Sequence, residues 1–219
     1  MRLADLLRVL LFEGVLLIVL FGSAGRWDLP WFWAVLAVHA SVLTIGASRI
    51  DPDLAKERRR AGGADRDRPF RATVMPFLLA QLVIAGLDAG RFHWTEAMPV
   101  SVRCLGLVGL AVGMSWSFWA MAVNRFFSAA VRIQSERGHQ VIRSGPYQWV
   151  RHPGYLGMLV STPCLSLALG SWYSLWPLLV VICLFVRRVT REDRMLLQEL
   201  DGYRDYAQQV RSRLIPGLW

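Results

Sequence analysis

The chain has 219 residues, of which 54% are hydrophobic, and its mean hydropathy is +0.36. A composition this apolar excludes an ordinary soluble domain and indicates that the bilayer is the solvent. The formal charge of +9 does not indicate a nucleic-acid partner, because the basic residues cluster between apolar runs rather than along one soluble face. We expect these basic loops to lie beside an anionic membrane leaflet.

Apolar runs of about one membrane crossing, roughly 20 residues, follow the chain from its N-terminus. The last run exceeds one crossing and contains the turn-forming dipeptide Gly170-Ser171, so it predicts a helical hairpin. The predicted fold is therefore an all-α, polytopic transmembrane helical bundle of five to six spans that includes this C-terminal hairpin. The runs are about Leu6 to Phe21, Trp31 to Ser48, Thr73 to Leu87, Val100 to Val123 and Tyr155 to Val186.

The basic residues are distributed unequally between the two membrane surfaces. With six spans, all of the 25 Lys and Arg residues except Arg26, Arg91 and Arg103 fall on the side of the N-terminus. Because Lys and Arg accumulate in short cytoplasmic loops, this side is predicted to face the cytoplasm. The sequence thus predicts an integral, multi-pass membrane protein.

Several local features carry structural expectations. Asp51 is predicted to cap a short helix that starts at Pro52 and stops at Gly62-Gly63, and the ERRR run at 57–60 is predicted to face lipid headgroups. Glu13 and Asp88 are predicted to reach water at the ends of their spans.

The glycines of the fourth span have GxxxG-type spacing, which predicts close helix packing. They are Gly106, Gly109 and Gly113.

Polar residues concentrate in two segments that flank the hairpin, Asn124 to His152 and Arg187 to Trp219. The hairpin returns the chain to the face it left, so the two segments are expected to meet at one membrane surface. No glycine-rich phosphate-binding motif is present, which excludes a doubly wound nucleotide-binding fold. The three cysteines lie far apart with no neighbouring histidine, so we predict no metal site.

The first polar segment contains GPYQWVRHPGYLG at residues 145–157. Its Gly-Pro and His-Pro-Gly steps predict turns that place backbone amides at the start of the next helix. Such amides suit a carboxylate or a phosphate. The alternative is an interfacial belt in which the aromatic side chains anchor the chain at the membrane surface.

The second polar segment places Arg188 and Glu192 four residues apart, on one face of a predicted helix. An exposed pair of this kind contributes only about 0.3–0.5 kcal/mol and is typical of a solvated surface. A functional role therefore requires that the pair point into a cavity.

The combination of GPYQWVRHPGYLG, a hairpin, RVTREDRMLL and GYRDYAQQVRSRLIPGLW resembles the isoprenylcysteine carboxyl methyltransferase family and its phospholipid methyltransferase relatives. The similarity covers roughly Asn124 to Trp219. The acidic pair here is Glu192-Asp193, where the family pattern has two glutamates. On this basis we divide the chain into N-terminal transmembrane helices with a basic cytoplasmic loop, residues 1–123, and a methyltransferase catalytic region, residues 124–219.

The resemblance implies a methyltransferase that uses S-adenosylmethionine in a cytoplasmic cofactor pocket between the two polar segments. Its implied catalytic residues are Glu192, which would hold polar groups of the cofactor, and Arg188, which would face the substrate. The other implied cofactor-binding residues are Gln134, His139, Gln140, Val141, Ile142, Tyr147, His152, Pro153, Gly154 and Tyr155.

The implied methyl acceptor is a carboxylate of an isoprenylcysteine-like or other lipidic, amphiphilic substrate. A carboxylate is already deprotonated at neutral pH and needs orientation rather than a base, which an arginine can supply as a two-pronged donor. A phospholipid amine or a small thiol remains open as the acceptor. An amine would need a base, a role that we do not assign to His152. A membrane transporter or scaffold is an alternative from another class, although ionisable groups within the spans are sparse.

Overall fold

The computed structural model describes the backbone of residues 3–59 and 64–219, and within these ranges all regular structure is helical. The α-helices are Leu3–Ala24 (α1), Pro30–Ser48 (α2), Pro52–Arg59 (α3), Ala64–Leu87 (α4), Val100–Val123 (α5), Pro153–Leu169 (α6), Trp176–Glu199 (α7) and Tyr203–Gln209 (α8). A π-helical turn, Asp88–Phe92, extends α4, and short 3-10 turns lie at Ser135–Arg137, Gly145–Gln148 and Tyr173–Leu175. The prediction of an all-α fold is confirmed.

Five helices in the described ranges are long and apolar enough to cross a membrane. α6 is shorter, with 17 residues, or about 25 Å at 1.5 Å per residue, and it packs against α5 as a sixth apolar helix. It ends at Gly170, whose φ of +83° reverses the chain direction toward α7. The prediction of a polytopic bundle with a C-terminal hairpin is therefore confirmed.

Small residues bring α5 and α6 into backbone contact. A Cβ added at Gly113 would lie 2.7 Å from the Gly157 carbonyl oxygen, and one added at Gly106 would lie 2.5 Å from the Ala168 nitrogen. A Cβ added at Gly109 would collide with the Cys164 side chain. The glycine spacing in α5 thus packs one helix closely on the next, as predicted.

Glu13 and Asp88 do not reach water as predicted. Asp88 is 1% exposed and accepts hydrogen bonds from the N–H and the hydroxyl of Thr95 and from the hydroxyl of Ser171. Glu13 Oε1 lies 2.5 Å from His39 Nδ1. The prediction was wrong for both, because the bonding partners come from other parts of the chain.

The loop between α2 and α4 packs against the first polar segment instead of facing lipid headgroups. Asp51 caps α3 as predicted, since its Oδ1 accepts the N–H of Asp53 at 2.7 Å. Glu57 bonds the Ser128 hydroxyl at 2.8 Å, and Arg58 donates to the Phe127 carbonyl at 3.1 Å. The expected surface role of the basic run is therefore wrong for its first two residues. The predicted stop at residues 62–63 lies outside the described residues.

Candidate functional site

The two polar segments lie against each other at one end of the helical bundle. The Arg151 N–H donates to the Ser212 carbonyl at 3.0 Å, and the Tyr206 hydroxyl donates to the Tyr147 carbonyl at 2.7 Å. The residues joined by these bonds are 61 and 59 positions apart in sequence, and the α6–α7 hairpin brings them together. The predicted meeting of the two segments is confirmed.

Asp193 of α7 is the buried centre of this contact. Its Oδ1 accepts from Arg151 Nε at 2.8 Å and from the Tyr203 hydroxyl at 2.9 Å, and it lies 3.2 Å from His152 Nε2. Its Oδ2 accepts from Arg151 Nη2 at 2.9 Å and from Arg213 Nε at 2.8 Å. Asp193 is fully buried, and these charged donors offset the cost of removing its carboxylate from water. Asp193 therefore locks the start of α6 to α7 and the C-terminal segment.

The neighbouring carboxylate, Glu192, has a different environment. The Tyr155 hydroxyl donates to Glu192 Oε2 at 2.7 Å and accepts from Arg188 Nε at 2.7 Å. Arg188 also donates to the Ala129 carbonyl at 3.2 Å, and its guanidinium lies 4.3 Å from the centre of the Phe70 ring. Arg188 and Glu192 thus face the protein interior, the arrangement that a functional role requires.

Tyr147 lies at the junction of the 3-10 turn with the end of α5. Its hydroxyl accepts a hydrogen bond from Asn124 Nδ2 at 2.9 Å. Burial raises the pKa of Tyr147, so its phenol stays neutral at physiological pH. The Tyr147 side chain can therefore contact a ligand without carrying a charge.

His139 is held as a neutral imidazole. Its Nδ1 accepts the backbone N–H of Gln134 at 3.3 Å, which leaves Nε2 as the protonated nitrogen. Burial, followed by the positive charges of Arg132 and Arg137, lowers the pKa of His139 to about 4. At neutral pH this side chain therefore offers one N–H donor and no positive charge.

A cavity of about 310 Å³ lies between the two polar segments and extends between the helices. Its part lined by residues 124–155 and the last turns of α7, called the polar half below, carries the polar side chains of Arg132, His139, Gln140 and Glu192 among apolar ones. Its apolar half is formed by side chains of α4, α6 and α7, which include Phe70, Val74, Leu78, Met158 and Phe185. Arg188 lies between the halves, because it bonds Tyr155 on one side and covers Phe70 on the other.

The structure places most of the predicted site residues around this one cavity. The residues that line it are His139, Gln140, Val141, Ile142, Tyr147, His152, Gly154, Tyr155, Arg188 and Glu192. Gln134 and Pro153 do not line it. Gln134 is fully buried and donates from Nε2 to the Phe126 carbonyl at 2.7 Å, so it shapes the loop behind the cavity wall. Pro153 is buried as the first residue of α6.

Three residues of the site were not singled out by the sequence. Asp193 carried a signal, since it replaces a glutamate of the family pattern, and Arg151 belongs to the RHPxYxG element. Arg58 carried none, because it belongs to a run of arginines that resembles any basic loop. It lines the cavity, and burial lowers its pKa.

The fold and the site together define a polytopic helical membrane protein with a ligand cavity at one membrane surface. Residues 105–198 match the model of the isoprenylcysteine carboxyl methyltransferase family. The matched region contains most of α5, the first polar segment, α6 and all of α7 except its last residue, so it includes Glu192 and Asp193. Over these residues the chain is similar to the isoprenylcysteine carboxyl methyltransferase family, and this similarity together with the apolar helices supports a membrane methyltransferase.

Curated relatives extend this finding. The probable protein-S-isoprenylcysteine O-methyltransferase of Oryza sativa subsp. indica is 29% identical over 144 residues, which are 61% of this chain and 75% of the rice protein. The protein-S-isoprenylcysteine O-methyltransferase of Schizosaccharomyces pombe is 32% identical over 88 residues, 39% of this chain and 37% of the yeast protein.

A relative with a different name matches a similar length of chain. Delta(14)-sterol reductase of Mus musculus is 35% identical over 91 residues, 38% of this chain and 21% of the mouse protein. The match shows that part of this sequence pattern also occurs in a protein named for another reaction. Similarity over this length is thus compatible with more than one reaction, and the side chains of the site define which one a protein performs.

Proposed function

We propose that this methyltransferase transfers a methyl group from S-adenosylmethionine to a carboxylate of an isoprenylcysteine-like or other lipidic substrate. The observation that carries the proposal is the single cavity with a polar half, an apolar half and Arg188 between them. The polar half would hold the cofactor, and the apolar half would hold the hydrocarbon part of the acceptor.

The side chains of the polar half suit the groups of S-adenosylmethionine. The Glu192 carboxylate can accept hydrogen bonds from an ammonium group or from ribose hydroxyls, and the neutral His139 offers an N–H donor. The cavity volume lies at the lower end of the about 300–1,000 Å³ that is typical of small-molecule sites. When bound, the cofactor would supply a methyl group on a sulfonium; the acceptor would take this group while the C–S bond breaks and the sulfur leaves as the thioether of S-adenosylhomocysteine.

The residues of this chain would act on the reaction mainly by positioning. Arg188 would hold the acceptor carboxylate through charge-assisted hydrogen bonds while Tyr155 fixes the arginine from the other side. Orientation of two reactants can lower a barrier by about 7–11 kcal/mol in favourable cases, and the buried walls of the cavity would keep water away.

The charge of the cavity favours an anionic acceptor over an amine. Its described lining includes Arg58, Arg71 and Arg188 together with one acidic side chain, Glu192. An ammonium group would be repelled by these arginines, and an amine would also need a base. His152 is poorly placed for that task, since its Nε2 faces the Asp193 carboxylate. A phospholipid amine or a small thiol is therefore the weaker candidate.

We also propose that the cavity faces the cytoplasm, because the basic residues concentrate at its membrane surface. In this arrangement residues 124–219 supply the catalytic groups. Helices α3 and α4, from residues 1–123, complete the cavity with Arg58, Phe70 and Val74.

Cofactor binding can be tested by calorimetric titration of the purified protein with S-adenosylhomocysteine. We expect saturable binding to the wild type and a loss of about 10- to 100-fold in affinity for Glu192→Gln, because a charge-assisted hydrogen bond is removed. Glu199→Gln is the matched control, since Glu199 is exposed on the same helix. Absence of binding to folded wild-type protein would reject the proposed cofactor.

The acceptor class can be tested with Arg188→Met and an N-acylated S-prenylcysteine as the methyl acceptor. We expect kcat/KM for this carboxylate to fall by about 10- to 100-fold while S-adenosylhomocysteine affinity changes little, because Arg188 is assigned to the acceptor. Arg187→Met is the control, since Arg187 is exposed beside it. Equal activity of the two variants on the carboxylate would contradict the assignment.

A further inference from the structure

A second cavity lies at the same membrane surface as the active-site cavity, on the other side of α3. Its volume is about 550 Å³, and it is enclosed by α1, α2, α3 and α5. The two cavities share one described lining residue, Arg58. The second cavity lies almost wholly outside the region that matches the methyltransferase family, which begins at residue 105.

The walls of the second cavity are amphipathic. Phe12, Leu43, Met114 and Phe118 supply apolar surface. Arginines from α1 and α3, Arg8 and Arg58, also line it. No acidic side chain is found among the lining residues that the structure describes. The cavity therefore combines positive charge with a hydrocarbon-like interior.

The position of α1 makes this cavity accessible from the bilayer. Phe12, which lines the cavity, is 55% exposed, and Arg8 is exposed beside it, as expected of a helix face in contact with lipid. An occupant can thus enter sideways from the membrane without crossing water. The membrane itself contains such an occupant, since anionic phospholipids carry a negative headgroup and apolar chains.

We propose that the second cavity binds an anionic glycerophospholipid of the surrounding leaflet, with its phosphate near Arg8 and an acyl chain along Phe12 and Leu43. The charge of the walls selects an anionic over a zwitterionic headgroup. This lipid site is separate from the proposed methyl-acceptor site, and its existence does not depend on which acceptor the enzyme uses.

The lipid site can be tested by native mass spectrometry of the delipidated protein, incubated with equal amounts of phosphatidylglycerol and phosphatidylcholine. We expect one phosphatidylglycerol molecule to be retained with at least about tenfold preference, because each nearby basic residue attracts an anionic lipid. Equal retention of the two lipids by the wild type would overturn the proposal.

A matched pair of substitutions locates the site. Leu43→Trp fills the second cavity, whereas Leu11→Trp adds the same side chain at a position that is 70% exposed on α1. We expect Leu43→Trp to reduce phosphatidylglycerol retention about tenfold or more and Leu11→Trp to leave it unchanged. Equal retention by the two variants would contradict the assignment.

A second pair tests the charge without filling the cavity. Arg8→Gln is expected to lower the preference for phosphatidylglycerol several-fold, whereas Arg49→Gln, at an exposed position that does not line the cavity, is not. This pair also decides the matter if Leu43→Trp fails to fold. S-adenosylhomocysteine binding, measured on the same samples, shows whether the active site is intact, so a failure of the lipid proposal is distinguishable from a failure of the proposed function.

Discussion

The two ends of the helical bundle each bury an aspartate, and the partners of these aspartates differ. Asp193 is surrounded by charged donors, chiefly Arg151 and Arg213, which come from two distant segments. Asp88 is bonded by an amide and two hydroxyls, all neutral, from the turns at its own end of the bundle. The neutral donors to Asp88 join the end of α4 to the turn between α6 and α7. The charged donors to Asp193 hold the two polar segments together, so that the adjacent Glu192 faces the cavity.

The largest expected effect comes from removing the two buried charges in turn. Asp193→Asn should lower the free energy of unfolding by about 3–5 kcal/mol, because it leaves the buried Arg151 without a counter-charge. Asp88→Asn should cost about 1–2 kcal/mol, since its partners are neutral and an amide oxygen can still accept. Denaturant unfolding of the two variants in detergent measures both values. Equal losses would show that the two ends are held in the same way.

A smaller effect separates binding from stability. Tyr155→Phe removes the hydroxyl between Arg188 and Glu192 and should weaken S-adenosylhomocysteine binding by about tenfold with little change in unfolding. Thr95→Val removes a hydroxyl from Asp88 and should lower stability by about 1 kcal/mol without affecting binding. Calorimetry and unfolding of both variants test this difference. If Thr95→Val weakened S-adenosylhomocysteine binding as much as Tyr155→Phe, the two ends of the bundle would not have the different roles described above.

The smallest effect concerns the protonation of the cavity wall. The His139 pKa of about 4 lies below its ordinary value of 6.5, so between these values the folded protein binds fewer protons at this site than the unfolded chain. The contribution of His139 to stability is then present above about pH 6.5 and lost as the pH falls towards 4. Nuclear magnetic resonance of ¹⁵N-labelled histidine, assigned with His139→Gln, measures this pKa. A pKa near 6.5 would show that the His139 side chain is exposed to water in the folded protein.

Sequence periodicity and charge were sufficient to predict most of the fold. Long apolar runs, the turn at Gly170 and the glycines of α5 each predict a local structure that the bundle contains, because each depends on residues close in sequence. The outcome for Glu13 and Asp88 could not be predicted in this way. Their burial depends on His39, Thr95 and Ser171, whose positions only the assembled bundle determines.

The candidate site was predictable where a motif concentrates its residues and not where a distant helix contributes one. His152, Tyr155, Arg188 and Glu192 follow from two motifs on either side of a hairpin. Arg58 lines the cavity because α3 packs on residues 124–142, and no local sequence pattern predicts this packing. Gln134 illustrates the opposite case, because a polar side chain near a site can serve the loop rather than the ligand.

The most direct test of the account is an electron cryomicroscopy structure of the protein with S-adenosylhomocysteine. We expect density for the ligand in the cavity between the His139 to Ile142 stretch and Glu192, with the Asp193 ion pairs intact. Ligand density at another place, or a structure in which residues 151–155 and Glu192 lie on opposite membrane surfaces, would contradict it.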